Sequence, residues 1–342
     1  MEFTGYKKGV NLGGWISQCG NKYNHDHYSS FITESDIARL ATWGIDHIRL
    51  PVDYNVIQNE DGTLIEEGLQ YIDKCIEWCG NSNLNLIIDI HKVAGYVFDV
   101  PDGLDLFNDE ALQDRFVVLW RGIIKRYAHL TDRVAFELLN EVHQREAAEK
   151  WNEIVKRTIE AIRETSKDAK ILVGGVFYNS VFGLTLLDPP YDENIVLNFH
   201  CYSPLIFTHQ SAYWDKRLPQ NYEMEYPLPV SKYSEESTKY FGNTFDDEFA
   251  GTGSDMIDSA FYEKQFSVAV ELGKKYNVPI YCGEYGVIDK ADAISALNWF
   301  KDINKAFEKL GIGRAVWTYK EMDFGLIDER YAEVFDELIK YI

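Results

Sequence analysis

Eight short apolar runs, rich in β-branched residues, recur along the chain, and amphipathic helical patterns lie between them. Strands that alternate with helices in this way are typical of βα units with a parallel sheet, and eight such units can close into a barrel. We therefore predict an α/β fold, namely a (β/α)8 TIM barrel. The predicted strands cover residues 9–15, 47–52, 85–91, 134–141, 170–176, 195–202, 279–286 and 314–319.

The helical patterns carry recognisable start and stop signals. Thr33 can cap the first crossover helix, with Asp36 three residues further on and Gly44 at its end. Further helices are predicted over residues 66–79, 109–128, 147–165, 260–275, 291–310 and 332–342, with a weak pattern over 180–187. Because these elements fill the chain, we expect one catalytic barrel over residues 1–342.

Two glutamates each close an apolar, strand-like run: Glu141 ends VAFELLNE and Glu284 lies in PIYCGEYG. An isolated ionised carboxylate is costly to bury, so each must be paired, hydrogen-bonded or held for chemistry. The C-terminal ends of barrel strands meet at one face, which predicts that both side chains share a pocket. Glycoside hydrolysis requires two such carboxyl groups, and a structural ion-paired role for both is the alternative.

Other side chains at the predicted strand ends should reach the same pocket: Arg49, His91, Asn140, His200, Tyr202 and Trp317. A guanidinium would hold the charge of one carboxylate, a tyrosine hydroxyl could donate a hydrogen bond to it, and an amide could bind a sugar 2-hydroxyl. Each has a structural alternative, namely a salt bridge for the arginine, satisfied core histidines, and packing for the tryptophan.

Several short motifs together resemble those of glycoside hydrolase family 5, the cellulase family: NLGGW, HIRLP, LLNE, NFHCY, CGEYG and AVWTYK. The resemblance covers essentially the whole chain and is greatest to compact bacterial endo-β-1,4-glucanases. It implies that Glu141 is the acid/base, that Glu284 is the nucleophile, and that the six other strand-end residues support them. One departure is Lys92, which stands where some relatives carry a second histidine.

The resemblance implies a retaining endo-β-1,4-glucanase that hydrolyses β-glucan through a covalent intermediate. A β-mannanase, a mixed-linkage glucanase or an exo-β-1,3-glucanase on the same barrel is the alternative. A metal-dependent barrel hydrolase and a non-catalytic sugar-binding protein are less favoured classes. No cofactor and no metal are expected, because His25 and His27 lie in a polar loop beyond the first strand and no Asp ends the eighth.

Charge restricts the partners that the chain can bind. It has 34 Lys and Arg against 55 Asp and Glu, a formal net charge of −21. This charge disfavours binding to nucleic acid and anionic membranes and leaves binding to a neutral polysaccharide unaffected.

Two features of the sequence indicate a location in the cytoplasm. The first residues lack the apolar region of a signal peptide, and the five cysteines are interpreted as thiols. Secretion, with an export signal outside this sequence, is the alternative, and the oligomeric state is left open.

Residues 203–259 form a connection far longer than the usual loop of a few residues. The segment leaves the C-terminal end of the sixth predicted strand, where barrel active sites are built, so we expect an insertion or subdomain that shapes the substrate site. Its aromatic residues could stack on sugars or form a small core of their own: Phe207, Tyr213, Trp214, Tyr222 and Tyr226.

Overall fold

Eight parallel strands close into a barrel in sequence order, with the first strand paired to the second and to the eighth. The computed structural model describes residues 1–100, 105–251 and 253–342. The predicted (β/α)8 barrel is therefore confirmed. The strands are β1 (Lys8–Asn11), β2 (His47–Asp53), β3 (Asn85–Lys92), β4 (Val134–Glu137), β5 (Ile171–Gly174), β6 (Ile195–His200), β7 (Ile280–Tyr285) and β8 (Gly313–Val316).

Helices surround the barrel, and the longest of them follow the predicted patterns. The first crossover helix begins after Thr33, whose backbone N–H donates to Asp36 Oδ2 over 2.8 Å, as the capping signal predicts. The helices and helical turns are α1 (His25–Ser30), α2 (Glu34–Ala41), α3 (Tyr54–Ile57), α4 (Glu66–Asn81), α5 (Asp105–Asn108), α6 (Glu110–Tyr127), α7 (Ala148–Arg163), α8 (Val176–Asn179), α9 (Leu205–Thr208), α10 (Val230–Phe241), α11 (Ser259–Tyr276), α12 (Ala293–Leu310) and α13 (Phe335–Leu338).

Two predicted helices are much shorter in the structure. Between β5 and β6 the chain forms only the turn α8, in which Phe177 and Tyr178 adopt left-handed φ values of 58° and 57°, and a 3-10 turn, Gly183–Leu186. The predicted helix 332–342 is reduced to the single turn α13, although Leu338 is fully buried and Phe335 packs edge-on against Trp43. Periodic apolar residues there mark contacts with the core and not a continuous helix.

The inside of the barrel consists of an apolar layer below a polar one. Near the strand starts, inward side chains pack with two residues that precede β1; this cluster is Phe3, Tyr6, Ile87, Ala135, Leu172, Val196, Tyr281 and Ala315. Because side chains on one face of a strand recur every second residue, the next inward positions lie nearer the C-terminal ends. Those positions carry the polar groups of the site, including Asp89, Glu137 and Asn198.

The segment after β6 contains α9, α10 and a 3-10 turn, Asp246–Glu248. Part of it packs into the main core: Phe207 is fully buried, Tyr226 is 4% exposed, and the Tyr226 hydroxyl donates to Asp302 Oδ2 on α12 over 3.0 Å. Phe207 and Tyr226 are thus core residues. The prediction that these two aromatic rings could stack on sugars is therefore wrong. The division of the chain into a barrel and a separate insertion subdomain stays a prediction.

All five cysteines are buried and unpaired. In the part of the chain that the structure describes, no helix combines the length and the apolar character needed to cross a lipid bilayer.

Candidate active site

A buried arginine organises the C-terminal end of the barrel. Arg49 lies in the middle of β2 and not at its end, and it is completely buried. Its Nε and NH2 groups bind both oxygens of Glu137 at 2.7 Å, NH1 donates to Asn11 at 2.8 Å and to Glu284 Oε1 at 2.7 Å, and NH2 also donates to Asn140 at 3.0 Å. All five guanidinium N–H groups therefore have acceptors.

Glu284 is held from two sides at β7. Arg49 contacts Oε1, and the Tyr202 hydroxyl donates to Oε2 over 2.9 Å. Burial raises the pKa of Glu284, while the Arg49 charge and the Tyr202 hydrogen bond oppose that rise by stabilising the carboxylate. The sequence-based expectation that Arg49 and Tyr202 contact this glutamate agrees with the geometry.

Glu141 has a different environment. Its nearest partner is His200, whose Nδ1 lies 2.8 Å from Glu141 Oε1, and burial keeps the pKa of His200 well below its usual range, so the imidazole is neutral. Burial and the nearby Glu284 charge raise the pKa of Glu141 well above its ordinary value. Because its closest neighbour carries no positive charge, this environment favours the protonated form of Glu141.

The two carboxyl groups lie close together. Oxygens of Glu141 and Glu284 and a ring nitrogen of His200 all lie within 4.8 Å of one another, and His200 Nδ1 is 3.6 Å from Glu284 Oε2. Retaining glycosidases place their carboxyl groups about 5 Å apart, whereas inverting enzymes leave room for a water, at roughly 6.5–9.5 Å. The observed spacing matches the retaining arrangement.

β4 ends four residues before Glu141, whereas the predicted strand continued to that residue. Asn140 still donates its backbone N–H to Ile90 O over 3.0 Å, but Glu141 itself has a left-handed φ of 34°. The turn takes Glu141 out of the ladder and aims its side chain at the pocket, while the Tyr96 hydroxyl holds its carbonyl at 2.6 Å. Alternation of apolar residues cannot report such a turn.

His91 and Trp317 form one wall of the site. Their rings stack with centroids 5.5 Å apart and planes 5° from parallel. His91 Nδ1 lies 2.6 Å from Asp89 Oδ2, and burial lowers the pKa of His91 to about 4, so its ring is neutral. All eight predicted site residues therefore lie in this one region of the barrel.

The sequence of the chain is similar to those of known proteins. The family model described as Cellulase (glycosyl hydrolase family 5) matches residues 6–323. The chain belongs to this family. It is 42% identical to Cellodextrinase A of Ruminococcus flavefaciens over 92% of this chain and 85% of that protein, and 38% identical to Endoglucanase C of Acetivibrio thermocellus over 98% of each.

Solved structures show the same fold. Endoglucanase Cel5A from the hyperthermophilic Thermotoga maritima superposes with a TM-score of 0.76 at 24% identity, covering 99% of this chain and 97% of that one. This family 5 chain is accordingly a glycoside hydrolase of the cellulase type, and the two-carboxylate arrangement is consistent with the retaining mechanism.

Glu141 and Glu284 line a cleft of about 870 Å³. From the segment after β6, Tyr213 and Trp214 line it and are 65% and 45% exposed. Tyr222 is half-buried and packs against Tyr240. Of the five aromatics predicted for this segment, two therefore face the cleft.

Lys92 also lines the cleft, where some family members carry a histidine. Its Nζ lies 3.1 Å from Asp99 Oδ2 and 5.5 Å from the Phe98 ring centroid.

The two histidines of the loop after the first strand, which were considered as metal ligands, make hydrogen bonds within the protein. His25 Nδ1 lies 2.7 Å from the Tyr71 hydroxyl, and His27 Nε2 lies 2.7 Å from Gly14 O. Among the described residues, the one His, Cys, Asp and Glu group with metal-ligand spacing is Glu141, His200 and Glu284.

Four inward polar residues of the site were missed by the sequence reasoning: Asn11, Asp89, Glu137 and Asn198. Each is completely buried and hydrogen-bonds to the arginine, to one of its partners or to His91. Burial raises the pKa of Asp89 and of Glu137 to about 7. Asp89 and Asn198 lie two residues before His91 and His200, so the period of the strand was a usable signal.

Proposed function

We propose that this family 5 enzyme is a retaining endo-β-1,4-glucanase in which Glu284 is the nucleophile and Glu141 the acid/base. The observation that carries the proposal is the spacing of the two carboxyl groups, within 4.8 Å, together with their unequal surroundings. Arg49 and Tyr202 stabilise a charge on Glu284, whereas a neutral imidazole faces Glu141.

The reaction follows from these two protonation states. Glu284 attacks the anomeric carbon while Glu141 gives its proton to the leaving oxygen, which yields a glycosyl-enzyme ester. Glu141, now ionised, takes a proton from a water that attacks the same carbon, and Glu284 leaves. Two displacements restore the original anomeric configuration.

Asn140 supports the sugar at the reaction centre. Its Oδ1 accepts from Arg49, which leaves its Nδ2 group buried and without a hydrogen-bond partner among the described residues. An unsatisfied buried donor is costly unless a ligand pairs with it. The sugar 2-hydroxyl is the acceptor that this amide would meet, and that bond strengthens in the transition state.

The substrate is a β-linked glucan. The length of the glucan chain that the enzyme prefers has two alternatives, a long polysaccharide and a short oligosaccharide. An endoglucanase and a cellodextrinase are both among the relatives, the latter at 42% identity. Tyr213 and Trp214 also line the cleft that holds the two glutamates, and they favour a substrate of several sugars.

A location in the cytoplasm is consistent with the five buried thiols, and secretion is the alternative.

Product sizing tests this assignment. The enzyme is incubated with carboxymethylcellulose, lichenan, laminarin and mannan and with cello-oligosaccharides of increasing length. An endo-β-1,4-glucanase lowers the viscosity of carboxymethylcellulose early, while reducing ends are still few. Release of short sugars from oligosaccharides without a fall in viscosity would identify a cellodextrinase. A preference for mannan would overturn the assignment of the sugar, and a preference for laminarin would overturn the linkage.

A further inference from the structure

Gly283, the residue before the proposed nucleophile, sits in an irregularity of β7. The pairing of β6 with β7 passes from Phe199–Cys282 to His200–Glu284, so Gly283 has no counterpart on β6. On the other side, the pairing with β8 also shifts between Cys282 and Tyr285. A residue in a β-bulge loses its regular ladder partners, and its backbone N–H and C=O must be satisfied in another way.

Two buried asparagines satisfy these groups. Asn198 on β6 accepts the Gly283 N–H at its Oδ1 over 3.0 Å, and Asn11 on β1 donates from Nδ2 to Gly283 O over 2.9 Å. Both side chains are completely buried. A Cβ at position 283 would lie 2.9 Å from Asn198 Oδ1 and 2.9 Å from His200 Nε2, so the contact depends on glycine.

The orientation of each amide is determined by its second partner. Asn198 Nδ2 donates to Glu137 Oε1 over 2.8 Å, and both oxygens of Glu137 also accept from Arg49, so the amide oxygen of Asn198 must face Gly283. Asn11 Oδ1 accepts from Arg49 over 2.8 Å, and a guanidinium can only donate, so the NH2 group must face Gly283. Each asparagine is therefore oriented by a charged group.

These contacts close two hydrogen-bonded circuits around Glu284. The shorter runs from the Glu284 carboxylate to Arg49, from there to Asn11, and back to the Gly283 carbonyl. The longer runs through Glu137 and Asn198 to the Gly283 N–H. The arginine that binds the head of the nucleophile thus also fixes, through two amides, the backbone from which its side chain extends.

We propose that Asn11 and Asn198 are positioning residues, which clamp the Gly283 peptide groups and thereby aim the Glu284 carboxylate at the anomeric carbon. This inference rests on the proposed role of Glu284 as nucleophile. A misplacement of about 1 Å is enough to cost roughly 100-fold in rate. Loss of either clamp should therefore slow attack by about 10- to 100-fold without weakening substrate binding.

The test compares Asn11→Ala and Asn198→Ala with Asn304→Ala. Asn304 is a matched control, because it is also 1% exposed or less and makes three side-chain hydrogen bonds, but on α12 outside the cleft. Thermal melting, kcat and KM on an aryl cellobioside, and the rate of inactivation by an activated 2-deoxy-2-fluoro-cellobioside are measured. The last of these reports directly on attack by the nucleophile.

We expect all three variants to lose comparable stability, and only the Asn11 and Asn198 variants to show kcat and inactivation rate lowered together, with KM little changed. If either alanine variant does not fold, the serine variant at that position replaces it. Folded variants whose kcat and inactivation rate match those of Asn304→Ala would overturn the inference. Glu284→Ala is assayed alongside, and wild-type turnover in that variant would instead refute the nucleophile assignment.

Discussion

Removal of the Tyr202 hydroxyl perturbs Glu284, the proposed nucleophile, with little change in packing. In Tyr202→Phe, Glu284 loses the 2.9 Å hydrogen bond to its Oε2 and keeps Arg49 on Oε1. A hydrogen bond to a charged group contributes about 1.5–3 kcal/mol. Because that bond favours the ionised form, its loss raises the pKa of Glu284.

The expected effect is a shift of the pH profile. At 1.36 kcal/mol per pH unit, the acidic limb of kcat/KM should move upward by about one to two pH units. Activity should therefore be lost first at low pH, where Glu284 becomes protonated. Above the limb, kcat should still fall about tenfold, because the carboxylate has lost one of its two orienting contacts.

The assay is kcat/KM of both proteins on an aryl cellobioside across the acidic and neutral range. Tyr319→Phe is the control, since the Tyr319 hydroxyl also donates to a carboxylate, Asp36 Oδ1, over 2.8 Å, and Tyr319 lies away from the cleft. The acidic limb of the kcat/KM profile of Tyr319→Phe should stay at the pH of the wild type. A Tyr202→Phe limb that is unmoved, or displaced to lower pH, would refute this account of how Glu284 is held ionised.

Three further outcomes follow from the site. Prolonged EDTA treatment should leave turnover intact, and loss of activity that zinc alone restores would favour a metal-dependent hydrolase. Trp214→Ala should raise KM severalfold for long cello-oligosaccharides, as expected for one aromatic contact of about 0.5–1.5 kcal/mol, whereas Tyr191→Ala, which removes a half-exposed ring outside the cleft, should not. Arg49→Lys keeps the charge but loses the paired hydrogen bonds to Glu137. At about 1.5–3 kcal/mol for each hydrogen bond to a charged group, urea unfolding should show a loss of about 3–6 kcal/mol together with low activity, and wild-type stability would contradict the central role of this arginine.

The strand pattern was enough to predict the barrel and the proximity of eight side chains from its strand ends, because a closed parallel sheet brings those ends together whatever their distance in sequence. Arg49 was predicted at a strand end, and it reaches the region of the other seven side chains although it lies four residues before the end of β2. Its long side chain covers that distance. The prediction therefore tolerated errors of several residues in strand boundaries.

The support of the site was harder to predict, because it depends on which face of a strand a polar residue occupies and on where pairing shifts. Asn11 and Asn198 are unremarkable in the sequence, and their importance follows from the bulge at Gly283. Likewise, composition could not separate the cleft residue Trp214 from the core residue Phe207, since the two lie seven positions apart in one aromatic-rich segment. Replacing that whole segment would expose core, so single substitutions are the better probe.

The anomeric configuration of the products tests the central claim most directly, namely that Glu284 attacks and Glu141 transfers the proton. An activated aryl β-cellobioside is cleaved by the wild type, and by Glu284→Ala and Glu141→Ala with azide present, and products are identified by NMR. The wild type should release sugar of retained configuration. Glu284→Ala should be very slow and give an inverted α-azide, and Glu141→Ala should be accelerated by azide and give a retained β-azide. Inverted sugar from the wild type would contradict the retaining mechanism, and exchanged azide products would reverse the two assignments.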